Sequence, residues 1–346
     1  MQKFIALWQH RYRKYTHLLK VYLHFLKVYF KIILLKIRFL GKRKVVAIVL
    51  TQQFGDIVAG EPISRQIRAQ HPEDYILWIV KPIFKELLTN NPNLDGIIEE
   101  FCANQRRLLI NSGIFDVLYN LQFRNNSYCS ICDTYVENPV ADAKNITIRN
   151  YYFQGNLLMV QQKIAGMPTD DLAPNLFVTE AHRTKVNSLQ LPDKYLVVHC
   201  QSAQNSRNWD STKWETLINY LLEKTDYHIV EIGLSSDLRI SDKRYINLCG
   251  KLNLLETGEV IRRAKLFIGI DSGPAHLANA VGTYGVIMIG KLEDFVNHIP
   301  YSGKYKSGEN ALILRNTEGP SAEIPVDDVI KALHQHNLIP FSHQLS

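Results

Sequence analysis

Acidic side chains are missing from the first 55 residues; the first in the chain is Asp56. Residues 1–44 hold 12 Lys and Arg with nothing to balance them, which leaves 28 bases against 33 acids in the rest of the 346 residues. The net charge of +7 therefore belongs to an N-terminal appendage. The body is mildly acidic and has no basic stripe of the kind that marks a nucleic-acid-binding domain. Cysteine is also scarce. Five residues, an odd and scattered set, do not make a disulfide framework, and a reducing compartment is the simpler setting. Gly (18) and Pro (13) are too few for a collagen-like or low-complexity chain. No GxGxxG and no GxxxxGK[ST] occurs, which disfavours a dinucleotide oxidoreductase and a P-loop kinase. No internal repeat of fixed period is found.

What is present is globular: 46% hydrophobic and 21% charged residues, in a length that suits two ordinary domains or one large one. The N-terminal segment has its own pattern. His10, Arg13, His17, Lys20, His24, Lys27 and Lys31 recur at steps of three and four, one face of a helix. Between them lie Leu18, Leu19, Tyr22, Leu23, Phe25, Leu26, Tyr29, Phe30 and Leu34. A basic row beside a broad apolar, aromatic arc fits a helix lying in an anionic membrane interface, with Lys stems snorkelling. Residues 1–43 are therefore expected to bind the inner face of a membrane. A helix docking on a protein partner and a spanning anchor are the alternatives. Against the anchor, Lys20, Lys27, Lys31 and Lys36 interrupt every window of about 20 residues. A secretory signal is not expected, for want of an unbroken apolar core and a cleavage site.

After Lys44 the pattern changes. Val45–Leu50 and Tyr75–Val80 read as buried parallel strands, with Gly96–Ile98 and Phe115–Leu121 following. Helices are expected at about Ile57–Gln70, Pro82–Asn90, Asn104–Asn111 and Asn150–Ala165. Pro168, Pro174 and Pro192 mark the approach to a boundary. A second α/β series then runs through strands at Tyr195–Cys200, His228–Gly233, Ile246–Cys249, Leu266–Ile270 and Gly285–Ile289, with helices at Thr212–Glu223, Leu254–Arg263, Ser272–Val281 and Val326–Gln335. The expected domains are residues 1–43, a membrane-interface helix; 44–180, a Rossmann-like acceptor-side domain; and 181–346, a Rossmann-like nucleotide-sugar domain. Two such halves imply a cleft, with ligand beyond the carboxyl ends of the strands.

Three segments carry candidate chemistry. In Asp271-Ser272-Gly273-Pro274-Ala275-His276 a strand gives way to a helix. Ser272 suits the cap, Gly273 allows close approach of a ligand, and Pro274 suits the first turn. The helix end offers free N–H groups to a diphosphate, and His276 lies in that first turn. Each feature also fits an ordinary capped helix. Gly55-Asp56 follows the first strand of the body, where a carboxylate can accept a proton from a sugar hydroxyl or simply favour the helix dipole. His199–Trp209, after the first strand of the second half, offers Ser202 and Arg207 as phosphate contacts, or is only a polar loop.

Together these segments resemble glycosyltransferase family 9, the ADP-heptose:lipopolysaccharide heptosyltransferase family. The likeness runs from about Lys44 to about Leu338 and is most specific at Asp271–Ala280 with Gly282. It is supported in order by Gly55-Asp56, Pro72 with Trp78, Asn91-Pro92, Phe115-Asp116, Arg207 with Trp209, and Gly233. The resemblance implies a GT-B fold and an inverting, metal-independent transfer. It implies that Asp56 is the general base, that Ser202, Arg207, Asp271, Ser272, Gly273 and His276 hold the nucleotide-sugar, and that no metal or other cofactor takes part. Arg207 stands where the family often has Lys, and the long basic helix is not part of the usual pattern. The implied reaction moves a heptose from a nucleotide donor, ADP-heptose first, to a lipopolysaccharide-core or similar lipid-linked glycan, on the cytoplasmic face of a bacterial inner membrane. The alternatives are a hexose or amino-sugar donor for another surface glycan, and a non-catalytic nucleotide-sugar-binding scaffold. Cys129-Ser130-Ile131-Cys132 is expected to be structural, because a zinc site needs two more ligands and neither a second CxxC nor a nearby His pair supplies them.

Overall fold

A computed structural model describes residues 2–51, 53–123 and 128–340. Asn125-Asn126-Ser127, a match to a glycosylation acceptor, lies outside them. By compactness the chain divides into two units. The first is 1–53, 63–154 and 159–170; the second is 54–62, 155–158 and 171–346. The short segment Phe54–Pro62, which carries Asp56, thus packs with the second unit although it follows the first strand of the first.

The first unit opens with helix α1 (Gln2–Phe39). Strand β1 (Val45–Val49), β2 (Tyr75–Val80), β3 (Gly96–Glu99) and β4 (Val117–Asn120) form one parallel sheet in the order β3-β2-β1-β4. β1 is apolar throughout and wholly buried, as a central parallel strand must be. Between the strands run α2 (Phe54–Ala59), α3 (Glu61–Gln70), α4 (Glu86–Thr89) and α5 (Ala103–Asn111). The single helix expected over Ile57–Gln70 is two, broken at Gly60. Pro62 has no N–H to donate and is confined to the first turn of α3. Likewise Pro82–Asn90 is a 3₁₀ turn at Pro82–Phe84 followed by α4. A small antiparallel hairpin, β5 (Tyr128–Cys129) with β6 (Thr134–Tyr135), was not foreseen; α6 (Pro139–Ala143) and α7 (Leu157–Ala165) follow it.

Helix α1 has three faces rather than two. Val21 and Ile32 are buried, with Leu18, Phe25, Val28, Tyr29 and Phe39 half-buried around them. This strip covers the sheet and α5. Lys36 completes it with an ion pair of 2.7 Å to Asp116, whose other oxygen accepts the Val45 N–H. Burial alone would raise the Asp116 carboxyl, but the Lys36 and Val45 hydrogen bonds hold it below its ordinary pKa. A second apolar strip faces outward: Tyr12, Tyr15, Leu19, Tyr22, Leu26, Phe30, Leu34 and Ile37 are all exposed. The basic row forms the third face. The broad apolar arc of the sequence is therefore shared between the protein's own core and the outside. No helix among the described residues is long and apolar enough to cross a membrane.

The second unit contains α8 (Glu180–Asn187), β7 (Tyr195–His199), α9 (Ser211–Lys224), β8 (His228–Ile232), β9 (Tyr245–Asn247), α10 (Leu254–Arg263), β10 (Phe267–Ile270), α11 (Gly273–Val281), β11 (Gly285–Gly290), α12 (Lys304–Ser307), β12 (Ala311–Asn316) and α13 (Val326–Gln335). Its six strands are all parallel, in the order β12-β11-β10-β7-β8-β9. This is the doubly wound Rossmann arrangement, and its strand order reverses between β7 and β10, where such sheets bind ligands. β12 was not anticipated, and its half-buried pattern is weaker than that of its neighbours.

The two strips of α1 predict opposite responses to truncation. Ile32→Ala should lower unfolding stability by ~2–4 kcal/mol, while Leu34→Ala should cost less than ~0.5 kcal/mol. Denaturant titration of the two variants checks this; equal losses would contradict the split.

Candidate active site

The switch point of the second unit lies where β7 ends at His199 and β10 ends at Ile270. The loop after β7 supplies Ser202 and Arg207, and the turn after β10 supplies Asp271, Ser272, Gly273 and His276. The sheet thus brings together residues more than sixty positions apart.

Asp271 is the hub. It is buried, and its carboxylate takes an ion pair from Arg207 Nη1 at 3.1 Å and a hydrogen bond from Tyr301 Oη at 2.9 Å, with His298 Nε2 at 3.8 Å. Arg207 Nη1 also donates to the Asp271 carbonyl at 2.6 Å. Burial by itself would raise the carboxyl pKa. The charges and hydrogen bonds of Arg207, His298 and His276 outweigh it and hold Asp271 ionised, far below the ordinary carboxylate range. Asp271 therefore aims Arg207 at the switch point. The carboxylate itself is engaged by protein groups.

Ser272 occupies the position before α11, yet its hydroxyl does not cap the helix. It donates to the Ile270 carbonyl at 3.1 Å and meets His199 Nδ1 at 3.0 Å. The expected cap is corrected: the hydroxyl turns back to the sheet and leaves the helix end to other partners. Burial holds the His199 pKa down to about 4, so the ring is neutral. Ser202 is likewise committed locally. Its hydroxyl reaches the Gln204 carbonyl and Asn208 Oδ1, both at 3.0 Å, and its N–H donates to the same Asn208 oxygen at 2.7 Å. Ser202 and Asn208 thus fix the loop that carries Arg207.

Asp56 arrives from α2, which packs on α11 within this unit. The contact depends on two glycines. A Cβ on Gly273 would lie 1.9 Å from Phe54 Cζ, and one on Gly55 would lie 3.0 Å from His276 Cδ2. Gly273 therefore makes room for Phe54, where the sequence suggested room for a ligand. Asp56 is buried on α2, one residue beyond Gly55. His276 packs on Tyr301 with the rings tilted by 53° and their centroids 4.7 Å apart, which joins α2 to the Asp271 cluster.

Four residues here had no role in the sequence reading: His199, His298, Tyr301 and Lys291. Lys291 follows β11 and shares a small pocket with Arg207, Asp271 and His298. Its signal was available, a Lys straight after a strand-ending Gly. His298 and Tyr301 sit in a loop without a motif.

Two outcomes follow. Gly273→Ala should destabilise the protein by ~1–3 kcal/mol, with at least ~1 kcal/mol recovered in Gly273→Ala combined with Phe54→Ala. A double-mutant cycle by denaturation reads this, and strict additivity would refute the contact. A His with a lowered folded pKa takes up its proton first in the unfolded chain, so His199 costs stability as pH falls from its ordinary 6.5 towards about 4. His199→Asn should flatten that part of the stability–pH curve, and an unchanged slope would count against a buried neutral ring.

Residues 150–302 match the model of glycosyltransferase family 9 (heptosyltransferase). Lipopolysaccharide heptosyltransferase 3 of Escherichia coli (strain K12) is 29% identical over 167 residues, 43% of this chain and 48% of that protein. The chain thus aligns with about half the length of the curated relatives it matches. In fold, the glycosyl transferase family 9 protein from Veillonella parvula superposes with a TM-score of 0.63 at 18% identity, over 84% of this chain and 96% of that one. The E. coli ADP-heptose LPS heptosyltransferase II gives 0.60 at 16% identity, over 84% and 98%. The chain is similar to glycosyltransferase family 9 over residues 150–302, and its two Rossmann-like units are those of the GT-B fold.

Proposed function

We propose that this chain is a heptosyltransferase that takes its sugar from ADP-heptose and passes it to a lipopolysaccharide core or similar lipid-linked glycan. The observation that carries this reading is the packing of α2, which holds Gly55-Asp56, on α11 at the switch point, with Gly55 against His276 and Phe54 against Gly273. The family match and the heptosyltransferase relatives support the class of reaction, and the E. coli relative's donor suggests ADP-heptose.

In this reading the donor diphosphate lies at the amino end of α11, beside Arg207 and Lys291. The acceptor hydroxyl attacks the anomeric carbon from the face opposite the diphosphate. A carbon–oxygen bond to the acceptor forms as the bond to the diphosphate breaks, and configuration inverts. Asp56 takes the hydroxyl proton. Arg207 and the N–H groups of the helix end meet the charge that develops on the leaving ADP, a preorganised electrostatic contribution worth several kcal/mol. These cationic groups serve in place of a metal at the transfer centre. His276, beside Gly55, helps set the position of α2 and so of Asp56.

The outward strip of α1 supports docking on an anionic cytoplasmic leaflet. Tyr15, Leu19, Leu26, Phe30 and Leu34 are exposed, and so are Lys20, Lys27 and Lys31 beside them. An enzyme held on the surface that carries its lipid-anchored acceptor meets that acceptor at a raised effective concentration.

Asp56→Asn should lower turnover from ADP-heptose by at least ~10²-fold and leave ADP affinity within ~3-fold. Transfer assays with calorimetric titration of ADP measure both. Full turnover in the variant would remove Asp56 from the chemistry, and the absence of transfer from any nucleotide-sugar by the intact chain would favour a scaffold. In flotation, the full chain should rise with anionic vesicles and stay down with neutral ones. Leu26→Ser with Phe30→Ser should abolish flotation, and unchanged flotation would sink the membrane reading.

A further inference from the structure

The CxxC segment has the two extra ligands that the sequence did not reveal. Cys129 and Cys132 lie on the β5–β6 hairpin. Cys102 immediately precedes α5, and His17 projects from α1. One ligand-type atom from each of the four lies within 4.8 Å of every other. Cys102 Sγ is 4.0 Å from Cys132 Sγ, and His17 Nε2 is 3.5 Å from Cys129 Sγ. A tetrahedral site with metal–sulfur bonds of about 2.3 Å and a metal–nitrogen bond of about 2.0 Å has edges of about 3.5–3.8 Å. The two contacts bracket that range. A disulfide would need sulfurs about 2.05 Å apart, and all three cysteines are free.

Backbone N–H groups point at two of the three sulfurs. The N–H groups of Ile131 and Cys132 point at the Cys129 sulfur. Those of Gln105 and Asn104, in the first turn of α5, point at the Cys102 sulfur. Asp133 closes the CxxC turn at a left-handed φ of 53°. The His17 ring stacks on Phe101 at 5.2 Å, which fixes its plane. Val21, Ala103, Leu18 and Leu108 form an apolar wall around the cluster. A hairpin of two-residue strands has too little structure to hold itself, and a metal would supply what it lacks.

We propose that His17, Cys102, Cys129 and Cys132 form a structural site for a thiophilic, tetrahedral metal ion of the zinc class, which staples α1 and the β5–β6 hairpin to α5. Three thiolates and one imidazole suit zinc and ferrous ions and exclude magnesium and calcium. The site belongs to the first unit and is independent of the proposed transfer chemistry, whose residues lie in the second.

The test uses the full chain, purified under reducing conditions without chelator, with metal content measured by inductively coupled plasma mass spectrometry. About one zinc or iron per chain is expected, falling below ~0.1 in Cys129→Ser with Cys132→Ser. His17→Cys should keep the ion, because four thiolates also bind it. Should the serine variant fail to fold, Co(II) replacement in the wild-type chain decides: the site predicts intense visible bands of tetrahedral cobalt with thiolate-to-cobalt charge transfer. Metal-free protein that takes up neither Zn(II) nor Co(II) would overturn the proposal. So would a Cys102–Cys132 disulfide recovered from protein kept reduced throughout, or metal retained in full by the serine variant.

Discussion

The buried carboxylate of Asp271 is the point from which the second unit's site is organised. It draws Arg207 from the loop after β7 and Tyr301 and His298 from the segment after β11, so three stretches of chain converge on one anion. A buried carboxylate without partners is costly, and these groups hold its pKa far below the ordinary carboxylate range. Its stabilising contribution is fully present above the ordinary carboxylate pKa of 3.8 and is lost progressively as pH falls from there towards the much lower folded value. The cluster sets Arg207 and Lys291 at the rim of one small pocket, beside a helix end that the Ser272 hydroxyl does not cap.

The second constraint is steric. Phe54 seats against Gly273, and Gly55 against His276, in contacts where a Cβ at either glycine would collide or crowd. This pairing joins Phe54–Pro62 to the second unit, even though the chain enters it directly from β1. The backbone approach sets where Asp56 stands relative to α11. The proposed role of Asp56 as a base requires placement to within fractions of an ångström, and close-packed backbone holds position better than a loop does.

Much of this was legible in the sequence. Continuous apolar runs such as Val45–Leu50 announced central parallel strands, and Asp271–Ala280 announced a strand-to-helix turn that the structure places at the switch point. Gly55 and Gly273 stood out as residues, but the reason for them did not, because Phe54 and Gly273 are more than two hundred positions apart. The role of Ser272 was misread for a similar reason: a cap is a local expectation, and His199, from a neighbouring strand, overrides it. Tyr301 and His298 carried no local signal. The two faces of apolar side chains on α1 read as one, since periodicity tells which residues share an arc and not what covers it. The CxxC lacked partners only as long as distance was counted along the chain; His17 and Cys102 are 112 and 27 residues from Cys129.

The central claim is that a nucleoside diphosphate binds where β7 and β10 diverge, on Arg207 and the amino end of α11. Hydrogen–deuterium exchange with and without ADP tests it most directly. The account predicts slowed exchange in peptides covering residues 200–208 and 271–277. Exchange unchanged in both peptides at saturating ADP, with protection confined to other parts of the chain, would contradict it.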